Sequence, residues 1–331
     1  MPKKGNKPNV VVIGGGTGTF VVLSGLKKYP VNLHAIVTMM DSGGSTGRLR
    51  DQLGVLPPGD LRQALVALSE SSQIWRDLFT YRFDNGDLSG HNFGNLFLTA
   101  LSKITGSVTS AVSLAESILN ARGRVIPVTL DDVKLCAKLK NHTILEGEAL
   151  IDVAEPGRSP IKYAFLKPEA SPNLTAIKVI EQADFIIVGP GDIYTSIIPN
   201  LLVNDIGSAV VGSRAAKVYI TNLMTKLGQT EKFTALDHVN TLEKYLKKGV
   251  FDYVLINSVK PPKELITWYK KSSDTDFVKD DLKKTKKILR ADLLSNTRYE
   301  QSLSDRIKRS LIRHDSEKLG KVLFNIISSI S

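Results

Sequence analysis

Residues 9–20 read NVVVIGGGTGTF, a short apolar run that ends in glycines and leads into an amphipathic stretch reaching to about residue 29. This order predicts a buried strand, a tight loop and a helix. Backbone N–H groups of such a loop lie at the positive end of the helix, where anions bind. The stretch therefore predicts a strand–loop–helix unit with a loop suited to phosphate, and a tight turn without a ligand is the alternative.

The same alternation continues along the chain. Further apolar runs lie at residues 33–39, 183–189, 217–222 and 252–258, and each is followed by a polar or glycine-containing loop and a helical pattern. Residues 61–120 are predicted to be mostly helical, with a break at the loop 85–95, and residues 143–153 to form a strand or hairpin at an antiparallel edge. This order predicts an α/β fold with a doubly wound, mostly parallel sheet.

Two domain-level expectations follow from the same reading. Residues 1–260 are expected to form one ligand-binding domain, with the helical insertion at about 61–120. A composition shift near Pro261 and Pro262 predicts a mostly helical C-terminal segment, 261–331, packed on that domain. At the start of the insertion, Asp60 is expected to be a helix N-cap, with Gln63 completing a capping box.

Composition limits the location of the protein. The 331 residues are 42% apolar and 23% charged, which is ordinary for a globular protein. The single cysteine, Cys136, excludes an internal disulfide framework and fits a reducing compartment. No apolar run approaches the roughly 20 residues that a membrane helix needs, and the N-terminal residues lack an apolar signal core. A cytoplasmic protein without membrane insertion is expected.

The charge of the chain favours an anionic small molecule over nucleic acid. The net charge is +11, and the KKTKK run at 283–287 has no interleaved aromatic residues. No nucleic-acid-binding signature accompanies it, so a solvated basic face is the preferred interpretation. Nothing in the sequence specifies an oligomeric state, and self-association stays an open alternative.

The loops after the strands should hold the ligand, because open parallel sheets bind ligands at the carboxyl ends of their strands. The first loop departs from the dinucleotide fingerprint, since Thr19 stands where its last glycine is required, and no Lys-Ser or Lys-Thr completes a Walker pattern. Asp41 lies where a dehydrogenase places its ribose-binding acid. The candidate ligand-binding residues of the first loop are Gly15, Gly16, Thr17, Gly18 and Thr19.

A second glycine loop, MDSGGSTGRLRD at residues 40–51, follows the next strand. Its glycines allow close backbone approach, its hydroxyls add hydrogen bonds, and its arginines suit phosphate. A nicotinamide enzyme has no evident use for such a loop there. Two loops predict a ligand with two anionic or polar ends, such as a nucleoside diphosphate joined to another group. The candidates here are Asp41, Ser42, Gly43, Gly44, Ser45, Thr46 and Arg48.

Other polar residues near strand ends are also candidates for ligand contact. Each has an open structural alternative: stabilising a loop, capping a helix, forming a turn, packing, or pairing at the surface. Tyr269 would stack on a base and Arg313 would close over a phosphate. The remaining candidates are His91, Asn92, Asn95, Gly191, Asp192, Thr195, Asn222 and Asn257.

The ordered motifs IGGGTGTF, DSGGSTGRLR, PPGDLR, GHNFGNL, GPGDIYTSIIPNLL and IRHD resemble those of the YvcK/CofD-like family, from about Val10 to near the C-terminus. The chain is more similar to the YvcK branch, the gluconeogenesis factors, than to the 2-phospho-L-lactate transferases. The resemblance implies a Rossmann-like fold. For the YvcK branch it implies a cytoplasmic protein that is needed for cell shape during gluconeogenic growth and binds UDP-N-acetylglucosamine. For the CofD branch it implies Mg²⁺-dependent transfer of a phospholactyl group.

One departure separates these functions. The family often has Asp-Asp-Gly-Gly in the second loop, whereas this chain has Asp41-Ser42. Mg²⁺ is usually held by one or two carboxylates together with substrate phosphates. Asp41 is therefore the one candidate metal ligand in this loop, and it is the candidate catalytic residue if the protein is a transferase. No other cofactor is predicted.

Three hypotheses result. The first is a regulatory nucleotide-sugar-binding protein, in which the first loop holds phosphate or nucleoside and the second grips the diphosphate with Arg48. The second is a Mg²⁺-dependent transferase. The third is an NAD-dependent dehydrogenase, which rests only on the first loop and on Asp41.

Overall fold

The computed structural model describes residues 7–273, 275–295 and 312–330, and these residues form ten strands and thirteen α-helices. The strands are β1 (Asn9–Gly14), β2 (Asn32–Val37), β3 (Arg124–Pro127), β4 (Lys134–Leu139), β5 (Ile144–Glu146), β6 (Ile161–Lys167), β7 (Phe185–Val188), β8 (Ala216–Ile220), β9 (Tyr253–Asn257) and β10 (Ile288–Ala291).

The helices, in chain order, lie mostly between the strands. They are α1 (Gly16–Leu26), α2 (Gly44–Leu53), α3 (Gly59–Leu68), α4 (Gln73–Thr80), α5 (Phe93–Thr105), α6 (Val108–Ile118), α7 (Glu148–Asp152), α8 (Leu174–Glu181), α9 (Ile198–Leu201), α10 (Ile206–Gly212), α11 (Ala235–Glu243), α12 (Lys263–Ser273) and α13 (Ser316–Ile330). A π-helical turn, Ile193–Ile197, precedes α9.

Seven of the strands form one parallel sheet in the order β10-β9-β8-β7-β1-β2-β3. From β1 the chain builds outward through β2 and β3 on one side, and it later returns to place β7, β8, β9 and β10 on the other. The order therefore reverses between β1 and β7, which is the switch point where such sheets bind ligands.

The core lies on both faces of this sheet. Val10, Val11, Val12 and Ile13 of β1 are fully buried, and they alternate between two apolar clusters, one on each face. Burial on both faces explains why a central strand reads as a continuous apolar run instead of an alternating pattern. The predicted doubly wound, mostly parallel sheet is confirmed.

A second sheet of three antiparallel strands, in the order β5-β4-β6, stands apart from the first. The expectation of a strand or hairpin at an antiparallel edge within residues 143–153 is confirmed for β5, which lies at the edge of this second sheet, and the rest of the stretch contains α7 instead of another strand. The sequence reading missed β3, β4 and β6. Strand β4 reads KLCAKL, and its lysines interrupt the apolar run that identified the central strands.

The C-terminal segment contains the expected helices α12 and α13, and it also supplies a strand that was not expected. Strand β10 pairs in parallel with β9, with Ile288 opposite Val254, and so becomes the outermost strand of the main sheet. The basic run at 283–287 directly precedes β10 and obscured its short apolar signal. Helices α3 to α6 confirm the predicted helical stretch at 61–120.

No helix in the described ranges combines the length and apolarity needed to cross a bilayer.

Candidate functional site

Loops from three neighbouring strands meet at the switch point. A Cβ atom placed on Gly18 in α1 would overlap the carbonyl oxygen of Pro190 in the loop after β7. The side-chain amide of Asn222, which follows β8, donates a hydrogen bond of 2.9 Å to the Gly191 carbonyl. The first loop therefore contacts the 189–192 loop through its backbone. The side chain of Asn222 holds the 189–192 loop in place by its hydrogen bond to Gly191.

Asp60 belongs to this site, although the sequence predicted a helix N-cap. Helix α3 begins at Gly59, and no side chain caps its first turn. Asp60 is instead 9% exposed, and its Oδ1 accepts a 2.9 Å hydrogen bond from the Gly16 N–H. A Cβ atom on Gly15 would overlap Asp60 Oδ2. The Gly16 amide, expected to bind a ligand phosphate, is thus occupied by a carboxylate of the chain.

Two further acids lie beside Asp60. Asp41 Oδ1 accepts a 2.9 Å hydrogen bond from the Gly43 N–H, and a Cβ atom on Gly59 would overlap Asp41 Oδ2. Glu148, the first residue of α7, brings its Oε2 to 3.9 Å from the Cβ position of Gly43. We refer to Asp41, Asp60 and Glu148 as the acidic group.

Burial and neighbouring carboxyls raise the pKa of each residue of the acidic group. Burial, and next the Asp41 carboxylate, raise the pKa of Asp60 to about 7. Burial, and next Asp41 and Asp152, raise the pKa of Glu148 to about 9. Burial also raises the pKa of Asp41. Each carboxyl therefore resists ionisation because water is excluded and because like charges are close.

A lysine holds two more acids at the rim of the acidic group. Lys226, in the loop after β8, pairs with Asp192 Oδ2 at 2.5 Å and with Asp152 Oδ1 at the end of α7. Burial opposes the charge of Lys226, but the two carboxylates outweigh it and raise the pKa of Lys226. Thr195 Oγ1 donates to Asp152 Oδ1 at 3.3 Å. We call Asp152, Lys226 and Asp192 the Lys226 triad; it joins α7 to two loops of the main sheet.

The hydroxyls of the second loop face the protein interior. Ser45 Oγ lies 3.2 Å from His91 Nδ1, and the Asn95 amide donates to Thr46 Oγ1 at 3.2 Å. Asn92 caps α5, its side chain accepting from the Asn95 N–H. Burial, followed by two nearby arginines, lowers the pKa of His91. These five buried residues hold the second loop against α5, which is the structural alternative that the sequence left open for the GHNFGN motif.

Two residues of the second loop turn in other directions. Ser42 Oγ accepts a 2.9 Å hydrogen bond from the Ala149 N–H, so the residue that replaces the family's second acid fastens the loop to α7. Arg48 is exposed, and its Nη2 donates to the Ser89 carbonyl at 2.9 Å. Arg82 donates to the next carbonyl, that of Gly90, at 2.8 Å. A basic surface therefore lies beside α2.

The last three candidates lie on the β9–β10 side of the sheet. Asn257 Oδ1 accepts from the Leu293 N–H at 3.0 Å, and its amide donates to the Val259 carbonyl at 2.5 Å, so Asn257 forms a turn. Tyr269 is buried in a small apolar cluster that includes Leu294 and Ile312. Arg313 follows this cluster and is half-buried. Nothing in these contacts brings the three residues to the acidic group.

Sequence reasoning missed several residues that the fold assembles here. Asp60 lay inside a quoted motif, but its pattern matched a helix cap. Lys226 lies in the loop that follows the strand predicted at 217–222, and its partners lie 34 and 74 residues away in the sequence. The missed residues are Asp60, Glu148, Asp152, Lys226 and Gln229.

The described residues do not form a ready magnesium site. No three His, Cys, Asp or Glu side chains among them are arranged to hold a metal ion. Asp41 and Asp60 each accept a backbone N–H at Oδ1, and each carboxylate keeps further lone pairs. These two acids would be the residues that hold the Mg²⁺ implied by the transferase resemblance, together with substrate phosphates.

Replacing Glu148 with glutamine is expected to change how stability depends on pH. The unfolded Glu148 carboxyl ionises near pH 4.5, whereas the folded one keeps its proton to about pH 9. The folded state thus binds an extra proton between these values, and the free energy of unfolding falls as pH rises through them. We expect Glu148→Gln to raise the free energy of unfolding by roughly 2 kcal/mol at pH 8, allowing for partial exposure, and to leave it unchanged at pH 4.5.

Urea unfolding at the two pH values measures this difference. Glu146→Gln is the matched control, because Glu146 lies two residues away, is exposed and pairs with Lys167 at 3.0 Å. It should bring no gain at pH 8. A Glu148→Gln variant that is no more stable than the wild type at pH 8 would contradict the raised pKa.

Comparisons with known proteins extend over most of the chain. The family model "2-phospho-L-lactate transferase CofD" matches residues 10–296. The gluconeogenesis factor of Bacillus subtilis is 42% identical over 328 residues, which cover 98% of this chain and 99% of that protein. The gluconeogenesis factor of Listeria monocytogenes is 41% identical over 327 residues, with 98% and 97% covered. A crystal structure of a UPF0052 family member from Bacillus halodurans matches with a TM-score of 0.87 and 36% identity, covering 96% of this chain and 99% of that one.

Proposed function

Because this chain belongs to the CofD-like family, in the YvcK branch of gluconeogenesis factors, we propose that it is a cytoplasmic, non-catalytic protein that binds UDP-N-acetylglucosamine. In this proposal the bound nucleotide sugar controls cell shape and cell-wall synthesis during gluconeogenic growth. The nucleotide sugar is both a precursor of the wall and a product of sugar synthesis, so its level reports on both.

The observation that carries the proposal is the pair of glycine loops at the switch point. Helices α1 and α2 follow β1 and β2, at adjacent carboxyl ends, through glycine loops. Helix N-termini favour anions, and Arg48 stands one turn into α2. A ligand with a diphosphate and two polar ends suits this arrangement.

The side-chain contacts favour binding over catalysis. Asp41 and Asp60 accept backbone N–H groups, and Asp152 and Asp192 pair with Lys226. His91 Nδ1 faces Ser45. A general base needs a lone pair within reach of the substrate proton, and each of these groups directs part of its hydrogen-bonding capacity at the chain. The transferase alternative, which rests on the family model, would require these acids and His91 to react with a substrate.

Calorimetric titration with UDP-N-acetylglucosamine, UDP and NAD, each with and without Mg²⁺, tests the proposal. We expect the nucleotide sugar to bind equally well under both conditions and to be recovered unchanged. Binding that requires Mg²⁺, or consumption of the ligand, would favour the transferase; binding of NAD alone would favour the dehydrogenase.

Removing the Arg48 guanidinium is expected to weaken UDP-N-acetylglucosamine binding about tenfold, as for the loss of one charge-assisted contact of roughly 1.5 kcal/mol. The Arg48→Ala variant should unfold like the wild type, because the side chain is exposed. Arg122→Ala is the control, since Arg122 pairs with Glu70 at the surface at 3.3 Å. Equal affinities in the two variants would exclude Arg48 from the site.

A further inference from the structure

The first loop differs from an ordinary phosphate-binding loop because it already contains an anion. The Gly16 N–H at the start of α1 donates to Asp60 Oδ1 at 2.9 Å, and Asp60 Oδ2 fills the space where a Cβ atom of Gly15 would lie. A ligand phosphate at this amide would compete with a carboxylate and stand next to its charge. Like charges at such distances disfavour each other.

The surroundings of Asp60 add to this effect. Asp41 and Glu148 complete the acidic group, and each carboxyl disfavours ionisation of its neighbours. The nearest lysine, Lys226, is matched by two carboxylates of its own triad. Arg62, the other cation close to Asp41 and Asp60, donates to Asn95 Oδ1 at 2.9 Å. The inner part of the site is therefore rich in hydrogen-bond acceptors and unsuited to a diphosphate.

A separate feature, beside Asp152 of the Lys226 triad, is a buried amide oxygen that lacks a donor. Gln229 is 5% exposed, and its amide nitrogen donates to Asp152 Oδ1 at 3.2 Å. Its Oε1 has no hydrogen-bond partner among the residues that the structure describes. A buried acceptor without a donor is costly. A ligand hydroxyl or amide N–H would satisfy it.

The outer part of the site has the opposite character. Asp41 accepts the N–H of Gly43 at the N-cap of α2, so the acidic group ends there and the positive charge begins one turn further along the helix. Arg48 follows on the same helix and reaches the Ser89 carbonyl, and Arg82 reaches the Gly90 carbonyl beside it. This end of the site suits phosphate oxygens.

From this division we infer that the hydroxyl-bearing sugar of the nucleotide sugar lies against the acidic group, with Asp60 as the residue that selects it, while the diphosphate lies outward beside Arg48 and Arg82. The inference rests on the proposed function and adds the orientation of the ligand in the site. It reverses the expectation that the first loop holds phosphate. A carboxylate accepts hydrogen bonds from two neighbouring sugar hydroxyls, and a site built this way rejects a ligand that lacks them.

A pair of ligands separates the two ends. UDP-N-acetylglucosamine and UDP share the base and the diphosphate, so the ratio of their affinities reports on the sugar alone. We expect Asp60→Asn to reduce this ratio about tenfold relative to the wild type, because the amide has one acceptor oxygen where the carboxylate has two. Arg48→Ala should weaken both ligands by a similar factor and leave the ratio unchanged.

A second variant tests the same inference in case Asp60→Asn does not fold. Gln229→Leu removes the unsatisfied acceptor without touching the first loop, and it should also reduce the ratio. The inference is overturned if both variants keep the wild-type ratio, or if Arg48→Ala is the variant that changes it. A wild-type protein that binds no UDP-N-acetylglucosamine would instead overturn the proposed function, and the inference with it.

Discussion

Replacing Gly18 with alanine is expected to abolish UDP-N-acetylglucosamine binding and to lower the free energy of unfolding by roughly 3 kcal/mol. The added methyl group would overlap the Pro190 carbonyl oxygen, which is backbone and cannot rotate away. The first loop or the loop after β7 must then shift, and the switch point opens. Alanine is otherwise the better helix former by about 1 kcal/mol. A loss of stability in Gly18→Ala would therefore come from the close approach of residue 18 to the Pro190 carbonyl.

Urea unfolding and calorimetric titration of the same preparation measure both effects. Gly212→Ala is the matched control, since Gly212 also lies in a helix, α10, and a Cβ atom there would meet nothing within 4 Å. That variant should bind like the wild type and be at least as stable. Wild-type affinity in Gly18→Ala would mean that the contact between the two loops is not part of the ligand site.

Replacing Lys226 with methionine is the second change with a large expected effect. It leaves Asp152 and Asp192 without their cation, in a region already crowded by the acidic group. Removing one partner of a buried pair costs about 3–5 kcal/mol. The three side chains are 28%, 33% and 38% exposed, so solvent screening reduces the expected loss to roughly 2 kcal/mol.

A surface pair supplies the comparison for this variant. Lys28 contacts Glu317 at 2.5 Å, the same distance as Lys226 to Asp192, but its side chain is 55% exposed. Lys28→Met should therefore change the free energy of unfolding by less than about 1 kcal/mol. Equal losses in the two variants would show that the Lys226 triad does no more than an ordinary surface pair.

The sequence predicted the framework because the central strands are buried on both faces. Strand β1 and strand β7 read as uninterrupted apolar runs, and the glycines after them identified the loops at the carboxyl edge. Strands β4 and β6 belong to a small sheet with charged and polar positions, and their pattern was too mixed to recognise. Local patterns report burial, so elements that are buried on one side give a fainter signal.

The sequence predicted a candidate site at the carboxyl edge of the sheet, but it did not predict the partners of the side chains there. Asp60 contacts Gly16 across 44 residues, and its local context fits a helix cap equally well. Lys226 pairs with Asp152 across 74 residues. The hydroxyls of the second loop were expected to face a ligand and instead meet α5. Such pairings depend on how distant elements pack, and spacing along the chain does not encode them.

A crystal structure of the protein with UDP-N-acetylglucosamine would locate the ligand. We predict ligand density at the carboxyl ends of β1, β2 and β7, with the sugar within hydrogen-bond distance of Asp60 and the diphosphate beside Arg48. Density at another place, such as the groove between β10 and α13 lined by Tyr253 and Ile326, would contradict it.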